Sequence, residues 1–164
     1  MKQVMIAGGG LAGLSLGIAL RRRGIPVTIT EAGTYPRHRV CGEFITGITE
    51  PALARLGIEE ALAAALPLRT LAWYSGSERV LEKTLPRKAW GISRWTLDRL
   101  LAEDFESLGG DLRTGSRVAP DWAGVDGRVW AAGRAPASVG KGTRWIGLKV
   151  HLGGLDIDRD LELH

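Results

Sequence analysis

The sequence predicts an α/β fold with a parallel sheet near the N-terminus and a smaller antiparallel β part after it. A short apolar run over residues 2–7 is typical of a buried strand, and residues 11–23 suit a helix that Gly24 ends. The β-branched segment "IPVTIT" from Ile25 then predicts a second strand. A strand, a helix and a second strand in this order indicate parallel strands in a Rossmann-like domain.

Glycines mark the turn between the first strand and the first helix, in the stretch "GGGLAGLSLGIAL" of residues 8–20. Gly8, Gly10 and Gly13 have the spacing G-x-G-x-x-G, which in dinucleotide folds permits a tight turn, close approach of a pyrophosphate and close packing of helix on strand. The free amides of the first helical turn, to which Leu11 and Ala12 belong, would receive the phosphates. The pattern predicts an adenine dinucleotide site.

A secretion signal is the alternative reading of the same stretch, because residues 4–20 carry no charge and follow Lys2. Its many glycines make a poor apolar helix, and the run is shorter than the ~20 residues of a membrane span. The basic residues 21–23 follow where a cleavage site would need small residues. We therefore expect neither export nor a transmembrane segment.

Glu31 stands at the end of the second predicted strand, about 20 residues beyond the glycines, where dinucleotide folds carry an acid for the adenosine ribose. Ala32 follows it and is assigned to the same site. The alternative is an exposed carboxylate at a strand end. Because a carboxylate would repel a 2′-phosphate, FAD or NAD fits this position better than NADP.

Composition excludes several classes of protein. The 164 residues suffice for one domain, or for one domain and a piece of another, and their apolar and charged fractions are those of a globular protein. The net charge of +4 is mild and the basic residues are scattered, so no nucleic-acid partner is expected. Cys41 is the single cysteine and the three histidines lack metal-ligand spacing, which predicts no disulfide, no metal site and a cytoplasmic location.

The middle of the chain predicts a loop over residues 32–46, a short helix from about Glu50 to Pro67, and two strands joined at residues 75–78. A strand then runs into a second clear helix, whose apolar face is formed by Leu97, Leu101 and Phe105 among others. Two further strands, over residues 111–120 and 127–136, are expected to meet at a hairpin turn of Asp126 and Gly127, and another strand is expected over residues 144–152.

Three stretches together resemble the FAD-dependent oxidoreductases of the geranylgeranyl reductase group, relatives of p-hydroxybenzoate hydroxylase. "VMIAGGGLAGLSLGIALRRRGIPVTITEA" is similar to the first βαβ unit of that family, "RVCGEFI" to its R-x-C-G-E-F loop, and "GISRWTLDRLL" to its S-R-x-x-L-D-x-x-L helix. The resemblance implies an FAD-binding domain over residues 1–140, with a β insertion at about 68–90, and the start of a truncated substrate domain over 141–164.

The resemblance also implies roles for individual residues. Arg39 would lie along the ADP half of FAD, Cys41, Gly42 and Glu43 would lie near the flavin, and Arg94 would reach the pyrophosphate or the ribityl chain. A guanidinium suits a diphosphate because its fork binds two oxygens at once. The alternatives are that Arg39 and Arg94 are surface side chains, that Cys41 is an ordinary small buried residue, and that Glu43 caps the helix that follows it.

The chain also departs from the family. Ala132 stands where relatives have the aspartate of A-D-G-x-x-S, although Gly133 and Arg134 fit the pattern. Relatives are more than twice as long and carry a later G-D-A motif that closes over the flavin. We therefore expect an incomplete chain, with an exposed sheet edge at its C-terminus through which it could associate.

The resemblance implies a flavin-dependent reductase or monooxygenase that acts on a small organic or isoprenoid-like substrate, with NAD(P)H as a transient electron donor. The flavin carries such chemistry, and the protein supplies orientation and a dry pocket. No histidine or acid is singled out as a general base, so the catalytic residues stay unknown. An NAD-dependent dehydrogenase and a non-catalytic nucleotide-binding module remain as alternatives.

Overall fold

The structure is a computed structural model that describes residues 2–119, 124–133 and 146–164. In chain order its elements are β1 (Val4–Ala7), α1 (Leu11–Arg21), β2 (Val27–Thr30), β3 (Phe44–Ile45), α2 (Glu50–Leu56), β4 (Leu66–Ser75), β5 (Glu78–Gly91), α3 (Arg94–Ser107), β6 (Asp111–Arg113), β7 (Arg128–Trp130) and β8 (Leu161–Leu163). Within the described residues these strands form two sheets.

The first sheet is parallel, with the strand order β6-β2-β1-β7 among the described residues. Helix α1 connects β1 to β2, which confirms the predicted βαβ unit and the α/β fold. The hairpin expected between β6 and β7 is wrong, because these strands pair with β2 and β1 respectively. Gly127 has a φ of +82° and accepts the Met5 N–H at 2.8 Å, so it starts the ladder with β1.

The second sheet is mixed, with the order β3-β5-β4-β8 in the part of the chain that is described. Strands β4 and β5 form the predicted hairpin, turning after Ser75, and β8 adds a parallel strand to the part expected to be antiparallel. The strand expected over residues 144–152 is wrong for residues 146–152, which form no strand. Leu148 is 92% exposed there, so the apolar residues of this segment pack against no partner strand.

The helices pack on one apolar core. Gly17 of α1 lies against Ile29 of β2 and Phe105 of α3, where a Cβ would crowd both side chains. Leu97, Leu101 and Phe105 are buried, as the predicted face of α3 requires. The helix expected from Glu50 to Pro67 is shorter, because Gly57 ends α2 with a φ of +71°; a 3-10 turn, Glu60–Leu62, follows before Pro67 enters β4.

Some predictions fall outside the described residues. The boundary at residues 140 and 141 lies there, as does Arg134 of the "AAGRAPAS" stretch. In the ranges that are described, no helix combines the length and the apolar character that crossing a membrane needs.

Candidate functional site

The glycine turn lies between β1 and α1, at the carboxyl edge of the parallel sheet. Gly8 has a φ of +106°, and a Cβ there would overlap the backbone of Ala131. A Cβ on Gly13 would overlap the carbonyl oxygen of Gly8 and crowd Ile6 at 3.3 Å. Both positions therefore require glycine: Gly8 because the backbone after β7 approaches it closely, and Gly13 because the turn folds back onto the Gly8 carbonyl.

Gly10 has open space above it. It is the N-cap of α1, with φ −83°, and no side chain caps the helix there. The nearest atom to a Cβ on Gly10 would be Nη2 of Arg94, at 4.0 Å. The first-turn amides of Leu11, Ala12 and Gly13 have no acceptor within the helix. The N-terminus of α1 at Gly10, which we call the mouth of α1, therefore combines free N–H groups with a guanidinium.

Asp98 binds both arginines that the sequence predicts at the cofactor site, Arg39 and Arg94. It is fully buried on α3, and its carboxylate accepts hydrogen bonds from Nε of Arg39 at 2.8 Å and from Nε and Nη2 of Arg94 at 2.7 and 2.9 Å. Arg39 and Arg94 are therefore not surface side chains, being 26% and 18% exposed. The sequence pattern did not indicate a role for Asp98, although it is the aspartate of the S-R-x-x-L-D stretch.

Arg39 offers a donor that no described residue accepts. Its Nη2 atom is buried and has no hydrogen-bond partner among the described residues. A buried N–H without an acceptor costs about 1–3 kcal/mol, unless a ligand supplies one. Together with the open space at Gly10, this orphaned donor fits an anionic group at the mouth of α1.

Glu31 faces the glycine turn and is 5% exposed, which excludes an exposed carboxylate at a strand end. Its Oε2 accepts the Gly9 N–H at 2.7 Å, and its Oε1 accepts the Gly33 N–H at 2.9 Å and Nη2 of Arg37 at 2.8 Å. Burial raises the pKa of Glu31, but these amides and the cations Arg37 and Arg39 outweigh it, so the pKa lies below its ordinary value. About one acceptor site of this carboxylate remains for a further hydroxyl.

Tyr35 is a site residue that the sequence analysis missed. Its hydroxyl donates a hydrogen bond to the Gly9 carbonyl, and a Cβ on Gly9 would overlap that hydroxyl. Burial, together with the carboxylates of Glu31 and Asp98, raises the pKa of Tyr35. The sequence carries only a weak signal for this contact, because one tyrosine in a polar loop does not indicate which backbone carbonyl its hydroxyl will contact.

The loop with Cys41, Gly42 and Glu43 lies before β3, beside the start of α3. Cys41 is exposed, so it is not a buried small residue, and its Sγ accepts the Glu43 N–H at 3.4 Å. Glu43 has a φ of +57°, and its Oε1 accepts the Arg94 N–H at 2.7 Å. Ser93 is the N-cap of α3, and Glu43 adds an acceptor for the first amide of that helix. Thr49 caps α2, the helix that follows Glu43 in the chain.

Glu43 also binds two basic side chains from a segment that is distant in the chain. Its carboxylate binds Nζ of Lys149 and, at 2.9 Å, Nε2 of His151. Lys149 donates a second hydrogen bond to the Arg39 carbonyl at 3.2 Å, and the His38 ring lies 5.4 Å from that of His151. Burial raises the pKa of Glu43, but the hydrogen bonds from Lys149, Arg94 and His151 bring it below its ordinary value.

The side chains of the other predicted site residues do not point into the glycine turn. The side chains of Leu11 and Ala12 line an apolar cleft of about 460 Å³ together with residues of α2 and β3, so only their amides are available at the turn. Ala32 is exposed beyond Glu31. The structure therefore brings together Gly8, Gly10, Gly13, Glu31, Arg39 and Arg94, with Cys41 and Gly42 on the loop next to Arg94.

Comparison with known proteins gives a family match. Residues 1–134 match the family described as "FAD binding domain". The Bacillus subtilis (strain 168) protein "Putative FAD-dependent monooxygenase YetM" is 31% identical over 127 residues, which are 72% of this chain and 34% of that protein. The chain thus spans about a third of this relative.

Solved structures share the fold. A variant of 2-methyl-3-hydroxypyridine-5-carboxylic acid oxygenase matches with a TM-score of 0.63 and 24% identity, over 71% of this chain and 32% of that one. The flavin-dependent monooxygenase PieE, in complex with FAD and substrate, matches with a TM-score of 0.57 and 23% identity, over 70% of this chain and 24% of that one. By the family match over residues 1–134, this chain belongs to the FAD binding domain family, and its cofactor is FAD.

Proposed function

We propose that this chain is the FAD-binding part of a longer flavin-dependent oxidoreductase, and that the mouth of α1 receives the FAD diphosphate. One observation carries the proposal: Arg94 lies above the open Gly10, and Asp98 binds both Arg94 and Arg39, whose Nη2 has no acceptor among the residues that the structure describes. Two guanidiniums beside free helix amides match the charge and the fork geometry of a diphosphate.

The chain's own residues would bind and orient the cofactor. The amides of Leu11, Ala12 and Gly13 would donate to phosphate oxygens, and Arg39 and Arg94 would add charge-assisted hydrogen bonds. Glu31 would accept a ribose hydroxyl through its remaining acceptor site, with Ala32 beside it. Cys41 and Gly42, on the loop next to Arg94, would lie nearer the flavin. When bound, the flavin supplies hydride transfer or dioxygen chemistry.

For the longer protein we propose monooxygenation of a small organic molecule. YetM is named as a monooxygenase, and two fold relatives are a pyridinecarboxylic acid oxygenase and a flavin-dependent monooxygenase. Reduction of an isoprenoid-like alkene, implied by the R-x-C-G-E-F resemblance, is the second candidate, with NAD(P)H as electron donor to either. We also propose that the protein is cytoplasmic and that a domain boundary lies near residue 140.

Binding measurements on the purified chain test the site. We expect FAD and ADP to bind, and FMN to bind more weakly because it lacks the diphosphate. NADH shares only the ADP half with FAD, so we expect it to compete with FAD no better than ADP does. Arg94→Gln is expected to weaken FAD binding about tenfold, which is ~1.4 kcal/mol. The control is Arg99→Gln on the same helix, whose guanidinium pairs with Glu103 at 2.7 Å. Equal binding of FAD by wild type and Arg94→Gln would exclude the proposed role of Arg94.

A further inference from the structure

A second cleft, of about 610 Å³, lies on the mixed sheet and shares no residue with the dinucleotide site. Three cationic side chains, Arg69, Arg87 and Lys88, line it together with the apolar residues Ile48, Pro51 and Trp90. We call it the basic cleft. Small-molecule sites in proteins have volumes of roughly 300–1,000 Å³ and combine apolar walls with a few polar groups, and the basic cleft has both features.

An irregularity in the β4–β5 ladder builds this cleft. Leu68 pairs with Ala89 and Thr70 with Thr84, so Arg69 alone on β4 stands opposite residues 85–88 on β5. Such bulges bend a strand and redirect its side chains, and they are common beside functional sites. Here the extra residues bring Arg87 and Lys88 to the same cleft as Arg69.

The charges of the basic cleft are only partly balanced. Glu50 also lines the cleft and pairs with Lys88 at 2.7 Å, which leaves an excess of two cationic side chains. Nζ of Lys88 lies 5.4 Å from the centre of the Trp90 ring. Neither Arg69 nor Arg87 forms a salt bridge with another described residue. Asp160 accepts the backbone N–H of Arg69 at 2.6 Å; its charge also attracts that of the Arg69 side chain, although the two form no salt bridge. The cleft therefore presents two arginines that are available to an anion.

We propose that the basic cleft binds a small organic carboxylate. Its carboxylate would receive hydrogen bonds from Arg69 and Arg87, because a guanidinium fork matches the two carboxylate oxygens. Its apolar body would lie against Ile48, Pro51 and Trp90, which border the same space. Inorganic anions lack this apolar body and would bind more weakly. The proposal holds whether or not FAD is bound, since the two sites share no residue.

Nuclear magnetic resonance on the chain without added FAD tests the proposal. Benzoate is the probe, benzamide is its neutral counterpart, and acetate is the carboxylate without an apolar body. We expect benzoate to shift the indole N–H signal of Trp90, assigned with Trp90→Phe, saturably and at concentrations about tenfold lower than the other two probes. Added sodium chloride should weaken benzoate binding, because the contact is ionic and exposed.

Substitutions test whether Arg69 and Arg87 bind the benzoate carboxylate. Arg69→Gln and Arg87→Gln are each expected to weaken benzoate binding about tenfold, which is ~1.4 kcal/mol. The matched control is Arg79→Gln, on the same strand as Arg87 and already paired with Glu82 at 3.3 Å, which should bind benzoate like the wild type. Circular dichroism and urea midpoints check that each variant is folded. The proposal is overturned if benzamide binds as tightly as benzoate, or if folded variants of both arginines keep wild-type affinity.

Discussion

Asp98 and Arg39, which are 59 residues apart in the chain, form a 2.8 Å salt bridge in which the aspartate is fully buried. The same carboxylate holds Arg94 one helical turn before it. Two cations that would otherwise repel each other are therefore fixed side by side before any ligand arrives. Such preorganisation reduces the ordering cost of binding an anion.

Asp98→Asn is expected to lower the free energy of unfolding by about 3–5 kcal/mol, because it leaves two partly buried guanidiniums without their anion. Urea denaturation measures this change. The control Asp104→Asn, on the same helix, removes only a partly exposed pair with Arg22 at 3.6 Å and should cost under ~1 kcal/mol. Equal effects of the two substitutions would contradict the positioning role of Asp98.

Gly10→Ala and Gly13→Ala should separate ligand binding from folding. A Cβ at Gly10 meets nothing closer than 4.0 Å, so the variant is expected to fold normally but to bind FAD more weakly, because the methyl group occupies the phosphate mouth. A Cβ at Gly13 overlaps the Gly8 carbonyl, and the expected loss of stability is about 1–3 kcal/mol. Thermal unfolding and FAD titration of both variants measure the contrast. Normal FAD affinity in Gly10→Ala would argue against a phosphate at this position.

Glu31 should make stability depend on pH below its ordinary pKa of 4.5. Because its pKa is lowered in the folded protein, its stabilising contribution is fully present above about pH 4.5 and is lost as the pH falls through the folded-state value. Glu31→Gln is therefore expected to be less stable than the wild type at neutral pH, by about 1–3 kcal/mol, with a difference that shrinks in acid. Urea unfolding at several pH values gives both curves. A difference independent of pH would contradict this account.

Glu43 should anchor the segment that carries Lys149 and His151. Glu43→Gln removes the charge that both side chains bind, so faster amide hydrogen exchange is expected over residues 146–152 and at the Arg94 N–H that Glu43 caps. Glu50→Gln is the control, since that exposed carboxylate pairs with Lys88 elsewhere. Unchanged exchange over residues 146–152 in Glu43→Gln would show that other contacts hold the segment.

Ser15→Ala is expected to leave stability unchanged or to raise it by up to ~1 kcal/mol. The Ser15 hydroxyl is buried on α1 and has no hydrogen-bond partner among the described residues, so its removal ends a desolvation cost. Ser107→Ala is the comparison, because that hydroxyl donates to the Asp104 carbonyl at 2.8 Å. A marked loss of stability in Ser15→Ala would indicate a partner for this hydroxyl.

The sequence by itself determined the βαβ unit, the glycine turn and the position of Glu31, because local periodicity and glycine spacing specify a strand-turn-helix without distant contacts. It also selected Arg39 and Arg94 through a family resemblance. Long-range pairing decided the rest: β6 and β7 joined opposite sides of the described sheet, and β8 rather than residues 146–152 joined β4. Only the tertiary structure joined Arg39 to the Asp98–Arg94 pair and Glu43 to His151. These two contacts span 59 and 108 residues and depend on side-chain directions that no local pattern contains.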